Sequence, residues 1–239
     1  MADQKHEEFP QPEGDEDHIT GQVLLSLIPG LGGAAAKLFT AIITPPIEKR
    51  RADWLNSLAA ALKDLERQVE GFTTESLTKN EVFISCLMHA SLAAQRNHQE
   101  EKINALRNAV LNVACGRAPD EDLQLMFLHM IDSFTPWHIR LLAYFNDPLG
   151  FTKARGVTYD REWPAFVKVM RDTFPELKSR MYHEDLPFFL LVRNDLRARG
   201  LLSSDSGESY DAYDPKKVRR KTTSELGDSF LSFISCPPQ

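Results

Sequence analysis

Between Ile19 and Ile47 the chain carries a single charged side chain, Lys37. The stretch runs through Val23-Leu24-Leu25-Ser26-Leu27-Ile28, turns at Pro29-Gly30-Leu31-Gly32-Gly33, and continues from Ala34 to Thr44 before Pro45-Pro46. So much apolar surface is unfavourable in water, so the remaining chain or a lipid phase has to cover it. About 20 apolar residues suffice to cross a bilayer, so the length allows a span. Pro29 and three glycines in the middle argue for a helical hairpin instead, because a spanning helix is rarely broken in this way. The predicted hairpin contacts are Leu24, Leu25, Leu27, Ile28, Pro29, Gly30, Gly32, Gly33, Leu38, Phe39, Ile42 and Ile43. Burial in a helical bundle is the first reading. The second is insertion of residues 19–47 into a membrane, with Lys49, Arg50 and Arg51 against anionic headgroups.

A third reading, a nucleotide loop, fails on context. Gly30-x-Gly32-x-x-Ala35 has the form of a dinucleotide fingerprint. That fold needs strands alternating with helices, and the next hundred or so residues show almost only a 3.6-residue period. No Lys-Ser or Lys-Thr follows the glycines, which removes a Walker loop. No cofactor is expected.

The net charge of −6 belongs to one end of the chain. Asp3, Glu7, Glu8, Glu13, Asp15, Glu16 and Asp17 against Lys5 account for all of it, leaving a neutral body. Residues 1–18 are read as an acidic, disordered tail. Its acids stand where a secretory signal would need bases, so no leader is expected. Cys86, Cys115 and Cys236 are far apart and odd in number, which suits a reducing compartment rather than a disulfide framework. A cytoplasmic location follows as the expectation, peripheral to the inner membrane if residues 19–47 insert.

Beyond Pro46 the pattern is helical. Leu55, Leu58, Leu62, Leu65, Val69 and Phe72 alternate three and four apart, with Pro46 in the first turn. Val82, Phe83, Ile84, Leu87, Met88, Ser91 and Leu92 give a broader apolar face over 79–96. Residues 99–114 end at Gly116, and a further helix carries Leu123, Phe127, Met130, Ile131 and Phe134. Short connections make these neighbours antiparallel. The predicted fold is mainly α, an antiparallel bundle over 19–132 followed by a second domain over 133–236. The boundary is set near Ser133, where aromatics and prolines become more frequent. Thr135-Pro136 caps a helix over Trp137 to Asn146, a loop is expected over 148–160, and helices follow near 163–174 and 185–199.

The last hundred residues hold the most specific pattern. Leu196-Arg197-Ala198-Arg199-Gly200-Leu201-Leu202 is followed by the basic run Lys216-Lys217-Val218-Arg219-Arg220-Lys221. Thr222-Thr223-Ser224-Glu225-Leu226-Gly227-Asp228-Ser229-Phe230-Leu231 closes the chain as a helix, with Thr222 and Glu225 at capping-box spacing. This pattern resembles the end of a winged helix-turn-helix domain, in which a third helix ends in an Arg-Gly-Leu-Leu turn. There a two-stranded wing follows, and a Thr-x-x-Glu-Leu-Gly-x-x-Phe-Leu helix completes the fold. The polar stretch Ser203 to Asp214 departs from that pattern, lacking strand alternation. The resemblance implies a recognition helix bearing Arg193, Asn194, Arg197 and Arg199, and a wing meeting phosphates through Lys216, Lys217, Arg219, Arg220 and Lys221. Glu184, Asp185 and Asp195 leave the domain without a positive excess, which turns the balance towards protein interaction. The whole chain also loosely resembles uncharacterised bacterial helical proteins, some of which accompany abortive-infection and phage-defence systems.

Nothing in the chain has the spacing of a catalytic or metal motif. His-Glu-x-x-His and Gly-x-Ser-x-Gly are both missing, and the seven histidines are scattered. Cys86 and His89 share a helix, and a core histidine beside a buried thiol is the simplest account. The expected function is a non-enzymatic, self-associating interaction protein, in a bacterial defence or regulatory context if the wider resemblance holds. Membrane insertion and winged-helix DNA binding are the alternatives, so the partners to test are a second copy, another protein, nucleic acid and a membrane.

Overall fold

The computed structural model describes residues 33–159, 164–177, 182–203 and 218–237, with the backbone alone for 33–43 and 182–186. The fold is mainly helical. Among the described residues there is no strand, only an antiparallel bridge between Leu202 and Thr223. The chain divides into two compact units, residues 1–121 with 236–239, and residues 122–235.

In the first unit α1 (Gly33–Gln68), a 3-10 turn (Thr74–Lys79), α2 (Glu81–Arg96) and α3 (Glu100–Ala114) pack together. Contacts between α1 and α2 run in opposite directions along the two helices. The Arg50 guanidinium donates to the Gln95 carbonyl at 3.3 Å, and Trp54 Nε1 donates to Ser91 Oγ at 2.9 Å. The third helix joins through Arg107, whose Nη1 donates to Ser57 Oγ at 3.2 Å.

Three expectations change here. The helix that Pro45-Pro46 should have ended runs straight through them. Each proline removes one backbone donor, yet its fixed φ lies within the helical range, and both rings are exposed. Gly33, Leu38, Phe39, Ile42 and Ile43 therefore belong to a 36-residue helix and not to the second arm of a hairpin that ends at Pro45. The turn at Pro29, with Leu24, Leu25, Leu27, Ile28, Gly30 and Gly32, lies outside the described residues, as does the acidic tail.

The second change concerns which residues α1 buries. Trp54, Leu58 and Leu65 are its core positions, while Leu55, Leu62, Val69 and Phe72 are half-buried. Trp54 takes the central place because it fills a large volume and its indole N–H has a partner in Ser91.

Third, α2 turns its small side chains inward. Cys86, Ala90, Ala93 and Ala94 are buried with Phe83, while Met88 and Leu92 stay exposed. Small residues let neighbouring helix backbones approach closely, and α3, which packs against α2, buries Ala105, Leu106, Ala109 and Val110. His89 is exposed, so it is not the core histidine expected beside Cys86.

The second unit contains α4 (Glu121–Ser133), α5 (Pro136–Asn146), α6 (Pro148–Lys153), α7 (Phe166–Thr173), a 3-10 turn (Pro175–Leu177), α8 (Tyr182–Ala198) and α9 (Glu225–Ile234). Helix α6 occupies part of the expected 148–160 loop, opened by Asp147, whose carboxylate accepts the Gly150 N–H. Helix α4 falls almost wholly in this unit, because Phe127 packs edge-on against Phe230 at 5.1 Å and beside Phe233 at 5.7 Å. A second aromatic group joins Tyr144, Phe145, Phe151 and Phe166, and Trp137 lies against Phe174 and Phe189. Such pairs contribute about 0.5–1.5 kcal/mol each beyond the area they bury.

Candidate interaction surface of the second unit

Helix α8 carries Arg193, Asn194 and Arg197 of the nine predicted contact residues, Arg199 follows its last residue, and the fold uses the four unequally. Arg193 is only 5% exposed, among the core residues Phe189, Val192 and Leu196. A guanidinium in that position cannot reach a phosphate, so Arg193 leaves the predicted contact set. Asn194 is exposed, and Arg197 and Arg199 are half-buried.

Arg199 is engaged within the unit. Its Nε donates to Asp195 Oδ2 at 3.1 Å, and its guanidinium lies 4.9 Å from the Phe134 ring centre. The same Asp195 oxygen faces His138 Nε2 at 3.1 Å. His138 Nδ1 accepts the Thr135 backbone N–H at 3.1 Å, which assigns the ring proton to Nε2 and makes it the donor to Asp195. The imidazole also stacks on Phe134, 4.7 Å between centres and 5° from parallel. Burial pushes the His138 pKa down, and the Asp195 carboxylate opposes this less strongly. Neutral imidazole is therefore the form held at neutral pH.

Thr135 and Pro136 mark this helix start in the sequence. The capping partner at the third helical position is His138, where Glu or Gln is usual, so the spacing rule does not find it. In the sequence Asp195 stands only as an offset to the arginines.

The basic run behaves in the same divided way. The Val218 carbonyl accepts the Tyr144 hydroxyl, and Val218 is buried. Arg219 and Arg220 follow it into solvent. Lys221 Nζ donates to Asp228 Oδ2 at 2.8 Å. Burial of Asp228 acts to raise its pKa, but the Lys221 and Thr223 hydrogen bonds outweigh it and hold the carboxyl below its ordinary value. Lys216 and Lys217 lie outside the described residues.

Three backbone contacts fix the base of this run. Ser203 N–H donates to the Thr222 carbonyl at 2.9 Å, Thr222 N–H to Phe145 at 2.8 Å, and Ser224 N–H to Leu201 at 3.1 Å. Helix α9 is capped by Ser224, whose Oγ accepts the Gly227 N–H at 3.0 Å and donates to the Gly200 carbonyl at 2.6 Å. The cap is therefore Ser224 and not Thr222, whose backbone is committed to Phe145.

Among the described residues, no group of three or more His, Cys, Asp or Glu side chains is placed to hold a metal ion. Nor is any described helix long and apolar enough to cross a membrane. Cys86 is buried, which pushes its thiol pKa up to about 12, Cys115 is half-buried and raised for the same reason, and Cys236 is exposed. No family model, no curated protein and no solved structure matches the chain.

Proposed function

We propose that the protein is a non-enzymatic interaction protein of two helical units, the second winged-helix-like, and that it binds protein, its own copies included. The carrying observation is the fate of the cations on and just after α8. Arg193 is buried, and Arg199 is tied to Asp195 and laid over Phe134. A DNA reader needs such side chains free at the groove. The bridge between Leu202 and Thr223, at the foot of the 203–222 excursion, supports the winged-helix-like reading.

Fluorescence anisotropy with a labelled DNA duplex tests this reading. In the described part of the basic run Arg219 and Arg220 are exposed and Lys221, also exposed, is held by Asp228, and each phosphate contact adds about 0.9 to the salt slope. The expected result is weak binding with a slope no steeper than about −2. Tight binding with a much steeper slope, reduced by Arg197→Ala, would return the chain to the DNA regulators. Insertion of residues 19–47 is a second reading, favoured by the one charge in that stretch and by exposed Lys49 and Arg51 after it. Co-sedimentation with anionic vesicles in high salt, lost on removal of residues 1–47, is its signature.

A further inference from the structure

We propose that the corner between α4 and α5 is an acid-operated switch, in which a proton arriving at His138 Nδ1 displaces the Thr135 backbone N–H and opens the capping box of α5. Both nitrogens of the neutral ring are in use. Nε2 carries its proton towards Asp195 Oδ2 at 3.1 Å, and Nδ1 accepts the Thr135 N–H at 3.1 Å. The one place for a second proton is therefore Nδ1, the atom that holds the cap.

Thr135 meets that atom with two groups that behave differently. Its Oγ1 lies 2.9 Å from Nδ1, beside the backbone N–H. A hydroxyl accepts as well as donates, so Oγ1 can turn to receive an Nδ1–H. A backbone N–H only donates, so it has to leave for water, which reaches Thr135 because that residue is exposed. One proton thus replaces a bond that caps the helix with one that does not. The ring itself stays put. Asp195 holds the charged imidazole more strongly than the neutral one, and Phe134 lies stacked on the ring face. Helices α6, α8 and α9 pack on α5, and among the described residues the charged groups that act on the ring are Asp195 of α8 and Arg199 just after it. Burial opposes the added charge, Asp195 favours it, and Arg199, which shares the same carboxylate oxygen, opposes it again. The balance sets the switch on the acid side of neutrality.

The switch goes beyond the interaction role proposed above and stands whether or not that role does. Nitrogen NMR of the ring and amide exchange, both on the full chain, test it together. At about pH 7.5 the ring proton should sit on Nε2, and Nδ1 should gain one as the pH falls towards about 5. Over that titration the Thr135 amide should lose about tenfold in protection, the size of a lost cap, while the Phe230 amide inside α9 keeps its own. His138→Gln supplies the usual capping-box acceptor with no titrating proton, so its Thr135 amide should stay protected throughout. Thr135→Val removes the waiting hydroxyl and should move the His138 titration to lower pH, whereas Thr135→Ser should leave it in place. A ring proton on Nδ1 at neutral pH, or a Thr135 amide indifferent to the His138 titration, overturns the switch. An equal loss of protection at Phe230 overturns it as well, since the whole unit would then be loosening.

Discussion

The α carbon of Gly227 sits so close to the Leu201 backbone that an added Cβ would lie 2.1 Å from the Leu201 carbonyl oxygen. That carbonyl also accepts the Ser224 N–H, so it cannot retreat without giving up the link between α9 and the end of α8. Gly227→Ala is expected to destabilise the second unit by about 2 kcal/mol, despite alanine's better helix propensity. Chemical denaturation measures it, and an unchanged midpoint would show that the two segments separate easily.

His138 makes stability depend on pH. Unfolded, its imidazole protonates near pH 6.5, and folded it protonates at a lower pH because burial disfavours the charged form. The folded state therefore binds fewer protons across that window. Its contribution is complete above about 6.5 and is lost as pH falls through that value towards the folded pKa. The melting temperature should drop between about pH 7.5 and pH 5.5, and His138→Gln should flatten that drop. Parallel curves for the two proteins would acquit the histidine.

The three thiols should separate by rate. Cys236 is exposed, whereas the Cys86 thiol is buried and held protonated with its pKa pushed up to about 12. A thiol reagent should label Cys236 first and reach Cys86 only when the first unit unfolds. Prompt labelling of Cys86 in the native protein would show that α2 opens readily.

Trp54 anchors α1 on α2 through volume and one hydrogen bond. Trp54→Phe keeps most of the volume and should cost about 1 kcal/mol, while Trp54→Ala should cost about 3–5 kcal/mol. Equal losses in the two variants would mean that the hydrogen bond to Ser91, and not the filled volume, holds the two helices together.

Helical periodicity locates α2, α3 and α5, because sealed helices with one apolar face leave a clear spacing in the sequence. It misjudges which face is buried wherever size and hydrophobicity part company. Met88 and Leu92 outrank Ala90 and Ala94 on any apolar scale, yet close backbone approach needs the alanines inside. Periodicity favours Leu55 over Trp54 because a period of three to four fits either register. The proline pair reads as a stop, since local chemistry says nothing of a helix continuing on both sides. At the candidate surface, the arginines are visible in the sequence but their availability is not. Whether Arg193 is buried or Arg199 is paired depends on Asp195, Phe134 and the packing of α8, which no local pattern encodes.

The edge-on contact between Phe127 and Phe230 also has a mechanical meaning. Phe127 belongs to the first helix of its unit and Phe230 to the last, so the points where the chain enters and leaves are clasped together. A unit with clasped ends resists unravelling from either terminus and passes tension through that clasp before its interior feels any. Within residues 122–235, loss of either ring would therefore loosen both the entry and the exit of the chain.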